Sequence, residues 1–123
     1  MIPRTAVVIV NYGAIGILEP NAANVSPPGG GFVVVVDCFS SASERQRVEA
    51  ACARHGWVPV MLAENAGFGG GTNAGAVAAL QRGAEVIVGL NPDATIDPDS
   101  LVQLARTAAE DPSAPKLIAF ESV

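Results

Sequence analysis

Short apolar runs recur along the chain, and each is followed by polar or acidic residues. The four clearest runs are Val7–Val10, Val33–Val36, Trp57–Leu62 and Glu85–Leu90, the last three separated by segments with helical character. Runs of four to six residues rich in Val and Ile are typical of strands that are buried on both faces, as in parallel sheets. Strands that alternate with helices predict an α/β fold with a mostly parallel sheet flanked by helices.

Helix signals fill the gaps after the second, third and fourth strands. Ser40, Ser41 and Ser43 can each cap a helix over residues 44–54, which Gly56 would end. Thr72 or Asn73 can cap a helix that runs to about Arg82, and Asp97-Pro98 is a typical start for a helix that continues to residue 109. We therefore predict three helices, each lying between two strands.

Three further segments are less regular in pattern. Residues 13–31 are rich in Gly and Pro, so we expect a loop with a short helix around Ile17–Ala23. Pro20 is compatible with that helix only in its first turn. Pro59 inside the third strand indicates an edge position or a short ladder, and Leu117–Phe120 predicts a last strand.

Polar residues follow four of the predicted strands at the point where each strand ends. They are Asn11-Tyr12, Asp37, Glu64-Asn65 and Asn91-Pro92-Asp93. The carboxyl ends of parallel strands gather along one edge of a sheet, and open α/β sheets bind their ligands at that edge. The sequence therefore predicts a nucleotide-type site there.

Composition narrows the class of protein. The chain has 123 residues, of which 50% are hydrophobic and 15% charged, which predicts one folded domain over residues 1–123. A net charge of -5 with only 7 basic residues argues against nucleic acid as a partner. We expect no transmembrane segment, a cytoplasmic location with peripheral membrane attachment left open, and free thiols at Cys38 and Cys52.

A glycine-rich segment, Gly67–Gly75, follows the third strand and opens the next helix. Glycines permit positive φ and close approach of backbone N–H groups, and a helix N-terminus favours phosphate. Gly69-x-Gly71-x-x-Ala74 approaches the dinucleotide-binding pattern, although that pattern belongs after the first strand of its unit. A tight strand-to-helix turn and an NAD-type site, with Asp93 as the ribose-binding acid, are both alternatives.

Two carboxylates are candidates for ligand chemistry. Asp37 at a strand end could accept hydrogen bonds from a base or a ribose, or it could cap the following helix. Asp93 could hold a divalent cation that bridges to a diphosphate, since the chain has few basic residues to neutralise such a charge. Asn91-Pro92-Asp93 could equally be a simple turn.

These four junctions, in this order, resemble the donor-binding half of family 2 glycosyltransferases, which have the GT-A fold. The matching stretches are Val7–Tyr12, Val33–Asp37 with Ser40-Ser41, Glu64–Gly75 and Leu90–Asp93. The resemblance covers nearly the whole chain apart from residues 13–31. It implies a Rossmann-like α/β domain that binds a nucleoside-diphosphate sugar through Mg²⁺ or Mn²⁺ and transfers the sugar, with inversion, to a glycan or lipid-linked acceptor.

The resemblance also implies a role for each matching residue. Asn11 and Tyr12 would lie beside the nucleotide and Asp37 would bind the base. Asn65 and Gly67 would line the nucleotide pocket. Asn73 would lie near the pocket on the following helix. Asn91 would stand at the first position of the family's Asp-x-Asp metal motif, and Asp93 would bind the metal. The Asn-Pro-Asp version is similar to that of rhamnosyl- and galactofuranosyltransferase-type members, which suggests a dTDP- or UDP-sugar.

The sequence also departs from the pattern of that family. Cys38-Phe39 replaces a common Asn-Gly, Gly13 replaces an Asn, and Asn91 lacks the charge of the first Asp in the motif. We expect the acceptor half and the catalytic base to lie outside these residues, and a homodimer is left open. The alternative functions are a non-catalytic nucleotide-binding or assembly module and an NAD-type Rossmann domain.

Overall fold

The computed structural model, which describes residues 2–110 and the backbone of 117–120, contains one five-stranded parallel sheet. Strands and helices alternate along the described residues, as the apolar pattern predicts. The elements are β1 Thr5–Asn11, α1 Ile15–Ala22, β2 Phe32–Asp37, α2 Ala42–His55, β3 Val58–Met61, α3 Gly67–Gln81, β4 Val86–Leu90, α4 Pro98–Glu110 and β5 Leu117–Phe120.

The strand order is β3-β2-β1-β4-β5, so β1 lies at the centre of the sheet. Every residue of β1 and β4 is buried, which explains why both strands read as continuous apolar runs. The third strand lies at an edge and is partly exposed, which confirms the position predicted from Pro59. Asn11 and Asp37 are partners in the β1–β2 register, so the polar ends of these two strands lie side by side.

The core has two layers, one on each face of the sheet. On one face, α1, α2 and α4 pack against β1, β2 and β4 through residues such as Leu18, Val48 and Leu101. On the other face, α3 packs against β1 and β2 through residues that include Ala79. Since the central strands are covered on both sides, the polar residues that follow them can only emerge at the carboxyl edge.

The glycine-rich segment is itself helical, so the predicted cap at Thr72 or Asn73 is wrong, whereas the predicted end near Arg82 is confirmed. Helix α3 begins at Gly67, the one residue of the run with a positive φ. A Cβ at Gly75 would lie 2.3 Å from Cγ1 of Val8, and one at Gly71 would lie 2.7 Å from Cγ1 of Val10. The glycines therefore let α3 approach the sheet closely, a tertiary requirement that is not visible in local sequence.

Helix α1 is better formed than the Gly/Pro-rich composition predicts. It runs over Ile15–Ala22 and places Pro20 in its second turn, which corrects the expectation that Pro20 is compatible only with the first. Pro20 cannot donate to the carbonyl of Gly16, so this turn lacks one hydrogen bond. Burial of Ile15, Leu18 and Ala22 against the sheet compensates for that loss.

Candidate functional site

Four polar side chains form a connected network below the carboxyl edge, where β1 and β2 end. Asn11 Nδ2 donates to Asp37 Oδ1 at 3.2 Å and to Glu44 Oε2 at 2.9 Å. Glu44 also accepts from the backbone N–H of Ile15 at 2.9 Å, and Asn11 Oδ1 accepts from that of Ala14 at 3.2 Å. The network thus joins β1, β2, α2 and the start of α1.

Arg45 completes this network by pairing with Asp37. Its Nε donates to Asp37 Oδ2 at 2.9 Å, and its terminal nitrogen donates to the carbonyl of Asp37 at 3.1 Å and to that of Leu62. The guanidinium carbon lies 5.0 Å from the centre of the Phe39 ring, within the range of a cation–π contact. Arg45 balances the negative charge of the Asp37 carboxylate. Asp37 is 0% exposed, so the carboxylate is also closed off from solvent.

The end of β4 has the opposite character. Asn91, Pro92, Asp93 and Ala94 form a turn in which the Ala94 N–H donates to the Asn91 carbonyl at 3.0 Å. Asn91 is half-buried, whereas Asp93 is exposed at the carboxyl edge. Asn21 on α1 donates to the Pro92 carbonyl at 3.3 Å and so fixes the turn against the body of the protein.

A cavity of about 290 Å³ opens between these two ends of the edge. Two large aromatic side chains line it, Tyr12 from the β1–α1 connection and Phe68 from α3, which are 59% and 58% exposed. The other lining residues are Val10, Ala14, Cys38, Asn65, Gly67 and Pro92. None of these residues is charged, and Asp37 is not among them.

The start of α3 borders the cavity. Asn65 Oδ1 accepts from the Gly67 N–H at 2.8 Å, which organises the turn into the helix. A helix N-terminus carries a partial positive charge that favours binding of a phosphate group. Asn73 lies exposed within α3 and does not line the cavity.

The donor set at this edge fits a divalent cation only when it is shared with a diphosphate. No cluster of three or more His, Cys, Asp or Glu side chains suited to a metal occurs among the described residues. Mg²⁺ in nucleotide enzymes is commonly bound by one or two carboxylates together with substrate phosphates. The exposed carboxylate of Asp93 fits that arrangement and does not fit a metal held by protein side chains alone.

One alternative from the sequence loses support, and the prediction of free thiols is confirmed. Gly69 and Gly71 lie inside α3, so the glycine pattern does not form the turn that dinucleotide binding requires. Cys38 and Cys52 are both free and buried. Burial raises the pKa of Cys38 and raises that of Cys52 to about 11, so both thiols are protonated near neutral pH and are poor nucleophiles.

Sequence reasoning missed three residues at this edge. Phe68 lies within the glycine run and was not singled out, although a large exposed apolar residue at the start of a helix can indicate a binding surface. Ser41-x-x-Glu44 has the form of a capping box, and Ser41 does accept from the Glu44 N–H at 3.1 Å. The Glu44 side chain turns to β1 and α1, and Arg45 turns to β2 and β3, which local sequence could not indicate.

Solved structures with a similar fold include glycosyltransferases. TarS from S. aureus, also solved with UDP-GlcNAc, is 25% identical with a TM-score of 0.61 over 87% of this chain. The mannosyltransferase PcManGT from Pyrobaculum calidifontis, in complex with GDP-Man and Mn²⁺, is 23% identical with a TM-score of 0.67 over 94% of this chain. GalNAc-T7 with UDP, GalNAc and Mn²⁺ is 17% identical with a TM-score of 0.63 over 89%.

The present chain spans 32% of the TarS chain, 34% of the PcManGT chain and 22% of the GalNAc-T7 chain. No protein-family model matches the sequence, and no curated protein matches it. In the described part of the chain, no helix is both long and apolar enough to cross a bilayer. The sheet order, the covering helices and these similarities together show an α/β fold like the Rossmann-like half of GT-A glycosyltransferases.

Proposed function

We propose that this domain binds the nucleoside-diphosphate sugar of a glycosyltransferase, with a UDP- or dTDP-sugar as the donor. The observation that carries the proposal is the uncharged cavity at the carboxyl edge, bordered by the N-terminus of α3 on one side and by the Asp93 turn on another. A nucleoside diphosphate has a neutral planar base and a charged diphosphate. The uncharged cavity suits the base, and the surrounding edge suits the diphosphate.

In this proposal Tyr12, Asn65 and Gly67 contact the nucleoside, and Asn11 supports the cavity from below. Asn91 positions the β4 turn, and Asp93 shares a Mg²⁺ or Mn²⁺ ion with the diphosphate. Asn73 would contact the bound donor only from its exposed position on α3. When bound, the divalent cation would neutralise negative charge on the diphosphate as the diphosphate leaves the sugar.

The proposed reaction is inverting transfer of the sugar, in which an acceptor hydroxyl attacks the anomeric carbon directly. The acceptor hydroxyl must lose a proton to a general base, a role that we assign to no described residue. A glycan or lipid-linked acceptor and a homodimeric state remain predictions. A radiolabelled sugar-transfer assay separates transfer from the alternative of a non-catalytic nucleotide-binding module, which would bind the donor and transfer nothing.

Calorimetric titration tests the donor site directly. We expect UDP or dTDP to bind in the presence of Mn²⁺ and to bind at least tenfold more weakly without it. Asp93→Ala should abolish this dependence on the metal, because it removes the carboxylate that shares the cation. The matched control is Asp99→Ala, which removes a different exposed carboxylate, one that lies on α4. This variant should bind UDP or dTDP like the wild type. Absence of binding to either nucleotide would overturn the proposal.

A further inference from the structure

The turn that follows β4 is fixed at both ends but not in the middle. Leu90 before the turn and Ala94 after it are buried in the core, and the Ala94 N–H donates to the Asn91 carbonyl at 3.0 Å. Pro92 is only half-buried and Asp93 is exposed. These contacts determine where the turn lies, but they leave the orientation of its central peptide, between Pro92 and Asp93, to be set by other parts of the chain.

The orientation of that peptide decides the direction in which the Asp93 side chain leaves the turn. The Pro92 carbonyl lies in one plane with the N–H and Cα of Asp93. Because the ring of Pro92 fixes its φ, rotation about its ψ is the motion that turns this plane. Type I and type II turns differ by this rotation, and Pro at the second position suits both.

The structure contains one of these two orientations. A type II turn requires a positive φ at its third residue, here Asp93, and Phe39 is the only non-glycine residue with a positive φ among those that the structure describes. Asp adopts a positive φ more readily than most residues, so the local sequence does not exclude the flipped peptide. A contact from outside the turn can therefore decide between the two orientations.

Asn21, near the end of α1, makes such a contact. Its Nδ2 donates to the Pro92 carbonyl at 3.3 Å and to the carbonyl of Ile17, one turn earlier in α1, at 3.0 Å. Helix α1 is itself anchored, because its first N–H donates to Glu44 at 2.9 Å and Leu18 is buried in the core. A flip of the central peptide would carry the Pro92 carbonyl away from this fixed donor and break the bond.

We infer that Asn21 is a positioning residue for the donor site: it selects the orientation of the Pro92–Asp93 peptide from which the Asp93 carboxylate shares the divalent cation with the diphosphate. This inference rests on the proposed function of the domain as a nucleotide-sugar site. Asn21 acts only through the Pro92 carbonyl and contacts neither the nucleotide nor the cation. One hydrogen bond of this kind changes the population of the observed turn by about two- to tenfold, and the affinity for a donor with its metal changes by the same factor.

Calorimetry tests the inference with UDP or dTDP, whichever binds the wild type more tightly, in the presence and absence of Mn²⁺. Asn24→Ala is the matched control for Asn21→Ala, because Asn24 Nδ2 donates at 3.0 Å to the Pro20 carbonyl, four residues earlier, as Asn21 does to Ile17. Both variants lose this local bond, but only Asn21→Ala loses the bond to Pro92. Asn21→Ala should bind the nucleotide about two- to tenfold more weakly with Mn²⁺ and unchanged without it, whereas Asn24→Ala should match the wild type in both conditions.

A second measurement needs no ligand. The Pro92 α-proton and the Asp93 amide proton are close together in the flipped peptide and further apart in the observed one, so the nuclear Overhauser effect between them reports the orientation. We expect a stronger effect in Asn21→Ala than in the wild type or in Asn24→Ala.

The results separate this inference from the proposed function. If the wild-type domain binds neither nucleotide, the proposed function fails and the role of Asn21 at a donor site fails with it. If the wild type binds and Asn21→Ala binds equally well with Mn²⁺, or if the Overhauser effect is the same in all three proteins, the inference fails while the proposed function stands. Equal weakening with and without Mn²⁺ would also overturn the inference, because it would indicate a general loss of structure.

Discussion

The carboxylate that ends β2 and the one on the turn after β4 have similar sequence contexts and opposite environments. Asp37 is 0% exposed, with both oxygens engaged by Asn11 and Arg45. Asp93 is exposed on a turn at the same edge of the sheet. An acid after an apolar strand is thus a reliable sign of the carboxyl edge but not of ligand contact, because neighbouring elements decide whether it remains accessible.

The difference follows from the elements that cover each strand end. Beyond β2, helix α2 begins within five residues and brings Arg45 and Glu44 back over the edge. Beyond β4, a turn and a connection precede α4, and Asp93 lies exposed on that turn. The β2 end is therefore a packed, internally satisfied region, and the β4 end faces solvent.

The largest expected effect comes from removing the buried acid. Asp37→Ala leaves Arg45 without its carboxylate partner and Asn11 without one acceptor. Breaking a buried pair costs several kcal/mol, and because the Arg45 side chain is 20% exposed we expect a loss of about 2–4 kcal/mol in the free energy of unfolding. Urea denaturation followed by circular dichroism measures this loss.

Asp93→Ala is the counterpart at the β4 end, and it should change the free energy of unfolding by less than about 1 kcal/mol, because Asp93 is exposed. Equal losses for Asp37→Ala and Asp93→Ala would contradict the distinction between a buried acid and an exposed one.

A second prediction concerns the packing beneath the β1 and β2 ends. A Cβ at Gly75 would lie 2.3 Å from Val8 Cγ1 and 2.9 Å from Val36 Cγ2, both on buried strands. Gly75→Ala should therefore destabilise the domain by about 1–3 kcal/mol through overpacking.

Gly69 in the same helix is the matched control, because nothing lies within 4 Å of a Cβ there. Gly69→Ala should stabilise by about 0.5–1 kcal/mol through helix propensity. If both substitutions stabilise the domain in urea denaturation, α3 does not approach β1 and β2 as closely as described.

The last prediction is a pH dependence of stability that arises from Cys52, on the buried side of the comparison. Burial raises the pKa of Cys52 from its ordinary 9.0 to about 11, and the charge of Asp37 adds to the shift. The folded protein therefore retains this proton where the unfolded chain loses it. The resulting stability is present below pH 9 and is lost as the pH rises towards 11.

Urea midpoints between pH 8 and pH 11 measure this dependence. Cys52→Ala should show a shallower decline than the wild type, because it has no thiol to titrate. Parallel declines in the two proteins would assign the alkaline loss of stability to other groups.

Several features of the fold could be predicted from sequence. The β-branched runs predicted four strands of the parallel sheet, because residues buried on both faces need no alternation with polar ones. Gly56 correctly marked the end of α2, and Ser41 is the N-cap among the three candidate serines, since capping depends on neighbouring residues alone. The strand ends at Asn11, Asp37 and Asn91 also followed from the apolar pattern.

The remainder depended on contacts between distant parts of the chain. The helical state of Gly69–Gly75 arises because α3 must lie close to Val8 and Val36, and the formation of α1 despite Pro20 arises from burial against the sheet. The closure of Asp37 depends on Arg45, which reaches it from another element. Sequence by itself determined where polar groups leave the sheet, because that depends on local hydrophobicity. Only the tertiary structure decided which of them solvent or a ligand can reach, because burial is set by the elements that pack over each strand end.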